Sequence, residues 1–156
     1  MSPQAFALRP LRWTDLPALK RWRGLPEIQR HLRHPTPPTW VQHVRWFLRV
    51  RRDPTCQVWA VTYGGKLVGQ AGWYYRRYNA AEVSILVVFG TMESFTHEAT
   101  VLHSLLAPKA REYGLTTLWA EVLSRAPVGR HTVFPAFPTS TVTADGKSTI
   151  YRWSIA

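Results

Sequence analysis

The sequence predicts a single mixed α/β domain. The first observation is the length of 156 residues, which one hydrophobic core can serve. The second is the composition, 46% hydrophobic and 19% charged, which excludes an intrinsically disordered chain. The third is the order of strand-like and helix-like segments, with about seven predicted strands in a mixed sheet. No internal repeat or linker divides the chain, so we assign one domain to residues 1–156.

A strand and a helix are predicted at the N-terminus. The segment Phe6–Leu11 has the composition of a short strand. Thr14–Asp15 is typical of the residues that precede a helix, and the apolar residues after it have helical spacing. Gly24 is expected to end this helix because glycine is common just past helix ends. The apolar residues are Leu16, Leu19 and Trp22.

Two further helical segments are predicted before the next strand. Glu27–His34 is expected to form a short helical piece that ends at the proline-rich residues 35–38. Thr39 is a candidate N-cap for a longer helix over Trp40–Arg52, which Asp53–Pro54 should end. The predicted apolar stripe of that helix consists of Trp40, Val44, Phe47 and Leu48.

A meander of three strands follows. Gln57–Tyr63 is rich in β-branched and aromatic residues, and Gly64–Gly65 fits a two-residue hairpin turn. Lys66–Tyr78 is predicted as the second strand, with a turn at Asn79–Ala80. Glu82–Phe89 is the third, and the apolar run at its end is typical of a central strand that is buried on both faces.

The remaining elements complete the predicted sheet. Gly90–Phe95 is expected to be a loop, and Thr96–Tyr113 a helix that Pro108 kinks or splits. Gly114 should end that helix, and Thr116–Leu123 is predicted as a strand. Residues 127–137 are ambiguous between a short helix and a loop, and residues 139–143 and 148–155 are predicted to close the fold as a hairpin.

The charge of the chain is unevenly distributed. The formal net charge is +11, and residues 1–52 contain 11 Lys/Arg and 2 Asp/Glu, a local charge of +9. Such a segment suits a polyanionic partner or an acidic substrate, although a solvated basic surface is an equally good explanation. The 8 tryptophans are expected to be mainly core or half-buried residues.

Several classes of protein and site are not predicted. No apolar run reaches the length of a membrane helix, and no secretory signal is visible, so we expect a cytoplasmic protein without a membrane partner. The single Cys56 excludes an intramolecular disulfide, and it is interpreted as a packed thiol. His31 and His34 lack a third ligand, so no metal site is predicted.

Several short segments carry a family resemblance through their order and spacing. They are Leu8–Leu16, Trp59–Val61, Gly64–Gly69, Ala81–Ile85, His97–Ala99, Tyr113–Leu115 and Ala136–Phe137. On these segments the chain resembles the GNAT superfamily of N-acetyltransferases, and within it the branch that acetylates ribosomal-protein N-termini. The resemblance covers nearly the whole chain. It implies a mixed, mostly antiparallel central sheet of about seven strands flanked by helices.

The resemblance also implies acetyl-CoA as co-substrate. In the family, the central strand diverges from its neighbour and its backbone pairs with the pantetheine of acetyl-CoA. The next loop and helix start direct backbone N–H groups at the pyrophosphate. The matching residues here are Leu86, Val87 and Val88 in the strand and Thr91, Met92, Glu93, Ser94, Phe95, Thr96 and His97 after it.

The matching loop departs from the family pattern. That pattern is Arg or Gln, two residues, Gly, one residue, then Gly or Ala, and Thr91, Ser94 and Thr96 occupy its three defined positions. Glu93 and Glu98 add negative charge near the expected phosphates, which disfavours their binding, although Glu98 matches a residue common in this branch and is then harmless. The residues therefore predict the fold more strongly than they predict acetyl-CoA binding.

Candidate catalytic residues follow from the chemistry that the resemblance implies. Acetylation of an amine needs a neutral nucleophile, so a base must remove a proton. Glu82 is the candidate base, and an ordinary strand-end carboxylate is the alternative. Tyr74 and Tyr75 are candidate acids for the departing thiolate, with a packing role as the alternative. The Asn and Tyr that the family has after its fifth strand are absent near Ser124 and Thr132.

The basic N-terminal third falls where the family shapes its acceptor groove. Arg30, Arg33 and Trp40 are the candidate acceptor-binding residues. A positive groove suits an amine acceptor that is an acidic peptide, an anionic small molecule or part of an RNA-bound target. A homodimer is a candidate assembly because many members of the family pair.

Two functions are consistent with the sequence. The first is an N-acetyltransferase in which the amine attacks acetyl-CoA directly. The alternative is a catalytically degenerate GNAT-fold protein that binds nucleic acid or protein through its basic N-terminal helices. Fold similarity alone does not choose between them.

Overall fold

The computed structural model describes residues 5–29, 36–89, 92–93, 95–124 and 139–155. The ambiguous segment 127–137 and the Ala136–Phe137 pair lie outside the described residues. So do four of the candidate site residues, namely Arg30, Arg33, Thr91 and Ser94.

The strands of the described chain form one eight-stranded sheet. They are β1 (Phe6–Pro10), β2 (Gln57–Tyr63), β3 (Lys66–Arg77), β4 (Ala80–Phe89), β5 (Met92–Glu93), β6 (Thr117–Leu123), β7 (Thr139–Val142) and β8 (Ser148–Ser154). Their order is β1-β2-β3-β4-β6-β8-β7, and β5 pairs with β4 off this path. Every pair is antiparallel except β4 with β6. The predicted mixed, mostly antiparallel sheet is confirmed.

Helices cover both faces of the sheet. They are α1 (Leu16–Arg23), α2 (Pro26–Gln29), α3 (Trp40–Arg52), α4 (Phe95–Val101) and α5 (Ala107–Glu112). Alternate residues of β4 contribute to two cores: Val83, Ile85 and Val87 join the larger one with α5, and Val88 joins a smaller one with α1 and α2. The prediction that this strand is buried on both faces is confirmed.

Asp15 does not cap α1 through its side chain, as the sequence predicted, but forms an ion pair with Arg9. Its buried carboxylate accepts hydrogen bonds from both Arg9 guanidinium nitrogens, at 2.8 and 2.7 Å, and from the Arg12 backbone N–H at 2.8 Å. No side-chain hydrogen bond caps α1. Burial raises the pKa of Asp15, but these hydrogen bonds outweigh it and the pKa is lowered. The ion pair therefore ties the start of α1 to β1.

The bounds of α3 follow the prediction, but its buried stripe does not. Thr39 and Gln42 form a reciprocal capping box at its start. The buried residues are His43, Phe47 and Val50, whereas Trp40 is 52% exposed. The predicted stripe is right at Phe47 and wrong at Trp40, and His43, which the prediction did not assign, is buried with its ring hydrogen-bonded to the Leu16 carbonyl.

The turns of the meander follow from their residues. Gly64 and Gly65 have φ angles of 59° and 82°, as a two-residue type I′ hairpin turn requires. At the next turn, Tyr75 and Tyr78 have φ angles of 54° and 57°, and the β3–β4 register shifts between Tyr74 and Arg77. This irregularity ends β3 one residue before the predicted end at Tyr78.

The segment after β4 is not wholly a loop, which corrects the prediction for Gly90–Phe95. Met92 pairs with Phe89, and Glu93 pairs with Val88. The chain thus turns back on β4, and backbone groups at the end of that strand find partners within the same segment.

The predicted helix over Thr96–Tyr113 is present but divided, as Pro108 predicts. A π-helical turn at Leu102–Leu106 separates α4 from α5, and the Ala107 N–H bonds to the Leu102 carbonyl. Proline has no N–H, and its ring clashes with the carbonyl four residues earlier, so a wider turn before it relieves both problems. Within the described ranges, no helix is long and apolar enough to span a membrane.

Candidate active site

β4 and β6 form a fork in the middle of the sheet. The two strands pair in parallel only from Ala80 with Thr117 to Glu82 with Trp119. Beyond this point β4 continues to pair with β3, and β6 continues to pair with β8. In the described part of the chain, no strand fills the space between the diverging strands. The predicted divergence of the central strand is therefore present.

The edge of β4 that faces the fork can be identified from its hydrogen bonding. The Val87 N–H donates to the Glu98 carboxylate over 3.4 Å instead of to a strand. Because the backbone of an antiparallel pair repeats every two residues, the N–H groups of Ile85 and Val83 point to the same side. This edge is the one from which β6 departs.

Glu98 does not lie where the sequence placed it. We expected its charge to face the phosphate loop, but the side chain is 0% exposed and reaches the backbone of β4. α4 packs against β4, and Glu98 lies on the side of α4 that faces this strand. The Glu98 carboxylate is therefore turned into the core, and the effect of its charge on phosphate binding stays a prediction.

Three side chains form a row across the sheet where the fork begins. Glu82 on β4 lies opposite Tyr74 on β3 and beside Trp119 on β6. Paired residues of neighbouring strands share a face, so all three project to the side that carries α1 and α3. The sheet thus brings together the predicted base and one of the two predicted acids.

The environment of Tyr74 is set by burial and by α3. The indole N–H of Trp46 on α3, which can only be a donor, acts on the Tyr74 hydroxyl in the direction that lowers its pKa. Burial raises the pKa of Tyr74 to about 12, although Trp46 and the charges of Arg23 and Arg49 act in the opposite direction. The phenol therefore keeps its proton at neutral pH and can serve as a hydrogen-bond or proton donor.

His43 in turn supports Trp46. The two rings are stacked, with centroids 5.3 Å apart and planes 7° from parallel. The imidazole is 1% exposed, and its Nε2 lies 3.2 Å from the Leu16 carbonyl oxygen, which makes Nε2–H the donor. Burial lowers the pKa of His43, and the charges of Arg23 and Lys20 lower it further. A neutral imidazole therefore joins α3 to α1 beside the candidate site.

We expect the free energy of unfolding to fall as the pH is lowered from about 7.5 to about 5. Burial lowers the pKa of both His43 and His103 below the unfolded value of about 6.5. The unfolded chain then binds more protons, so this stability is complete above about pH 6.5 and is lost as the pH falls. Urea unfolding at about pH 7.5 and about pH 5 measures this loss of stability, and the loss should be smaller in His43→Asn. If His43→Asn loses as much stability as the wild type, the buried His43 is not its source.

The other predicted residues are distributed as follows. Tyr75 is 68% exposed at the end of β3, and its ring centroid lies 6.1 Å from that of Tyr74. His97 packs against Phe6, with ring centroids 5.2 Å apart. Trp40 is exposed at the start of α3, where the Lys20 ammonium lies 5.2 Å from its ring centroid. The structure therefore places Tyr74 opposite Glu82, with Tyr75 beside Tyr74 and largely exposed.

The strand residues proposed for the cofactor have distinct environments. Val87 carries the hydrogen bond to Glu98, Val88 is paired with Glu93, and Leu86 is half-buried against the smaller core. Met92 lies in β5. The next helix, α4, begins with Phe95, Thr96 and His97. The backbone of the predicted loop is thus partly fixed by its pairing with β4.

A cavity borders the carboxyl end of β6, the end toward which the fork widens. Its volume is about 420 Å³, and its described lining consists of Leu123, Ser124, Gly146 and Lys147. The Ser124 hydroxyl donates to the Gly146 carbonyl over 2.8 Å. Ligands of open mixed sheets commonly bind at the carboxyl ends of parallel strands where the strands diverge. Among the described side chains, no cluster could hold a metal ion.

Sequence reasoning missed two members of this site, Trp46 and His43. Neither was in the predicted apolar stripe of α3, although His43 is one of the buried residues of that helix. Their spacing of three residues was the available signal, because residues at that separation share a helix face.

The sequence and the fold both match known acetyltransferases. The sequence model of the acetyltransferase (GNAT) domain matches residues 6–125. A domain from Methanocaldococcus jannaschii is similar with a TM-score of 0.80 at 18% identity, over 97% of this chain and 99% of that one. The spermidine N-acetyltransferase from Vibrio cholerae, in complex with CoA and spermine, has a TM-score of 0.74 at 16% identity, over 94% and 92%. The ribosomal-protein-alanine N-acetyltransferase from Brucella melitensis has a TM-score of 0.75 at 17% identity, over 95% and 99%.

A search of the curated proteins found no match. The family match nevertheless covers well over half of the chain, from β1 through β6, and the sheet has the topology expected of that family. The alternative of a degenerate binding module has no support from these comparisons. The chain therefore belongs to the acetyltransferase (GNAT) family and is an acyltransferase of the N-acetyltransferase type.

Proposed function

We propose that this protein transfers the acetyl group of acetyl-CoA directly to a primary amine at the fork between β4 and β6. The single observation that carries the proposal is the end of strand pairing at Glu82 and Trp119. It leaves a strand edge beside a half-buried carboxylate, which is the arrangement that amine acetylation needs.

The fork fits an extended ligand that carries amide groups. Between Glu82 and Val88 this edge of β4 points away from β3 and no described strand pairs with it, so a pantetheine chain can lie along it as a further strand would, with the Val87 N–H already bound to Glu98. The Vibrio cholerae enzyme of the same fold is described as a complex with CoA, which supports this choice of co-substrate. When bound, acetyl-CoA supplies an activated acetyl thioester.

Glu82 and Tyr74 have complementary roles in the proposed reaction. The Glu82 carboxylate accepts the proton that an ammonium acceptor must lose before it can attack. The Tyr74 phenol keeps its own proton at neutral pH and is the candidate donor to the departing thiolate. Because the two residues are opposite each other on β3 and β4, one acceptor position serves both.

The finer placement among ribosomal-protein N-terminal acetyltransferases is part of the proposal. It rests on the segments that resemble this branch, among them Leu8–Leu16 and His97–Ala99. The likeness to the Brucella melitensis enzyme, at 17% identity, supports the fold of such an enzyme. A peptide N-terminus is accordingly one of the acceptors to be tested.

We expect the purified protein to bind acetyl-CoA and to release CoA only when an amine is present. Calorimetric titration measures the binding, and a thiol-reactive dye measures the release of CoA with a panel of amines. Desulfo-CoA, which lacks the thiol and cannot carry an acetyl group, is the control for binding through the pantetheine and the nucleotide. Absence of both heat and thermal shift at about millimolar acetyl-CoA would overturn the proposal.

A further inference from the structure

Two exposed tryptophans lie at opposite ends of the contact between α1 and α3. Trp13 lies in the single turn before α1 and is 49% exposed, and Trp40 begins α3 and is 52% exposed. Trp13 packs on the buried Phe47 of α3, with ring centroids 4.5 Å apart. Phe47 follows Trp40 by two helical turns, about 10 Å along the same flank of α3. The two indoles therefore lie on one surface, the α1–α3 face, which Trp13–Arg23 and Trp40–Arg52 form.

A cation accompanies each of these indoles. The Lys20 ammonium, on α1, lies 5.2 Å from the centroid of the Trp40 ring. The Arg51 guanidinium, on α3, lies 5.4 Å from the centroid of Phe47, the ring on which Trp13 packs. Both distances are within the range of about 6 Å over which a cation is attracted to an aromatic ring. The α1–α3 face thus presents two half-exposed indoles, each with a positive charge on its side of the face.

The charge of the α1–α3 face is strongly positive. Its two segments contain seven Lys or Arg residues and one acidic residue, Asp15. The Asp15 carboxylate is bound by the Arg9 guanidinium at 2.7 and 2.8 Å, so it neutralises a residue of β1 rather than the cations of this face. The segment Trp40–Arg52 has no acidic residue, and its exposed cations are Arg45, Arg49, Arg51 and Arg52. Charge complementarity therefore selects a polyanion as the partner of this face.

We propose that the α1–α3 face binds a single-stranded nucleic acid, with bases stacked on Trp13 and Trp40 and phosphates bound by Lys20 and Arg51. Exposed aromatic rings in a positively charged surface are the combination that single-strand binding without sequence preference uses. The separation of about 10 Å along α3 corresponds to about three nucleotides at a base spacing of about 3.4 Å. A duplex hides the faces of its bases, and an acidic peptide has no base to stack. The inference does not rest on the proposed acetyl transfer and adds a binding activity to it.

Binding to labelled oligonucleotides tests this inference. Fluorescein-labelled oligo-uridine and oligo-thymidine of about 20 nucleotides are titrated with the protein and followed by fluorescence anisotropy. We expect both to bind at about 50 mM salt and to bind much more weakly at about 200 mM. The slope of log affinity against log salt should be at least about 2, because three phosphate contacts to a single strand give that value. Both oligonucleotides should also quench the tryptophan fluorescence, since stacking brings bases onto the indoles.

Two competitors separate stacking from charge. Poly-L-glutamate is a polyanion without bases, and at equal charge it should displace the oligonucleotides at least about tenfold less well, because two stacked bases are lost. Phosphatidylglycerol vesicles present anionic phosphates on a lipid surface, and they should compete no better than poly-L-glutamate.

Tryptophan variants connect the binding to the α1–α3 face. Trp40→Leu and Trp13→Leu should each weaken oligonucleotide binding by at least about fivefold, the loss expected for one stacked base. Leucine keeps an apolar side chain over Phe47 but offers no ring. Tyr78→Leu is the matched control, because Tyr78 is 83% exposed at the turn between β3 and β4 and has the Arg77 guanidinium 5.9 Å from its ring centroid. Circular dichroism and unfolding curves confirm that each variant folds.

Lysine variants test the phosphate contacts. Lys20→Gln should lower the salt slope by about one, the effect of losing one phosphate contact. Lys66→Gln is the matched control, since Lys66 is an exposed lysine at the hairpin of β2 and β3, outside the α1–α3 face. This control should leave the slope unchanged.

Several outcomes would overturn the inference. They are no binding of either oligonucleotide at about 50 mM salt, and an affinity that either tryptophan variant leaves unchanged. Equal competition by poly-L-glutamate would show a surface that recognises charge alone, and a preference for the vesicles would show a membrane surface; each result contradicts the proposal. None of these assays needs acetyl-CoA, so their failure leaves the proposed acetyl transfer intact, and a failure of acetylation leaves them valid.

Discussion

Glu82→Gln should lower kcat/KM for the preferred amine by about a hundredfold or more at neutral pH. General base catalysis contributes factors of about 10²–10⁴, and glutamine cannot accept the proton. The residue lies opposite Tyr74 at the start of the fork, so the substitution leaves the strand pairing and the shape of the site in place. Initial rates with saturating acetyl-CoA measure the effect.

The pH dependence of this variant separates a base from a structural carboxylate. An α-amino group has a pKa of about 8 and a lysine-type amine about 10.4, so a larger share of acceptor is neutral at higher pH. The deficit of Glu82→Gln should therefore shrink as the pH rises from about 7 to about 9. A residue needed only for packing would give a deficit that does not change with pH.

Substitutions at exposed positions are the controls for removing the Glu82 charge and the Tyr74 hydroxyl. Glu112→Gln removes an exposed carboxylate on α5, paired only with Lys109 at 3.5 Å within the described residues, and should leave the rate unchanged. Tyr74→Phe should lower the rate, whereas Tyr78→Phe, at an 83% exposed position, should not. Full activity of Glu82→Gln with normal acetyl-CoA binding would exclude Glu82 as the base.

The local order of the elements could be predicted because it depends on short-range signals. The Gly64–Gly65 turn and the Thr39 cap each follow from residues adjacent in the chain. The pairing of Met92–Glu93 with β4 could not, because a two-residue strand has no periodicity of its own. The buried stripe of α3 was missed because the burial of His43 depends on the Leu16 carbonyl, 27 residues away in the chain.

Only the part of the site near the turn between β3 and β4 could be predicted from the sequence. Glu82 and the choice between Tyr74 and Tyr75 came from their positions near the turn between β3 and β4. Tyr74 continues the regular alternation of β3, whereas the position of Tyr75 depends on the register shift after Tyr74 and on its φ of 54°, which a pattern of alternating residues does not encode. The contact of His43 with the Leu16 carbonyl and the Trp46 ring depends on how α1 and α3 pack, which only the tertiary structure determines.

Gly69→Ala should lower the free energy of unfolding by at least about 3 kcal/mol, at the upper end of what overpacking a core costs. Gly69 lies opposite Val87 where β3 supports the far arm of the fork. A Cβ at Gly69 would collide with the Leu86 carbonyl oxygen and lie 2.9 Å from the Val87 Cα atom. These are backbone atoms, so no side-chain rotation relieves the collision, and the strands must separate.

The separation would also displace the β4 edge that carries the proposed pantetheine contacts. We therefore expect Gly69→Ala to weaken acetyl-CoA binding more than its loss of stability explains. Calorimetry at a temperature where the variant is folded measures this affinity.

Gly24→Ala is the matched control. A Cβ at Gly24 comes no closer than 3.4 Å to the Arg21 carbonyl oxygen, and the backbone is already in the right-handed helical region. The control should be neutral or slightly stabilising, since alanine reduces the entropy of the unfolded chain. Wild-type stability and cofactor affinity in Gly69→Ala would show that β3 and β4 are not packed backbone against backbone at the fork.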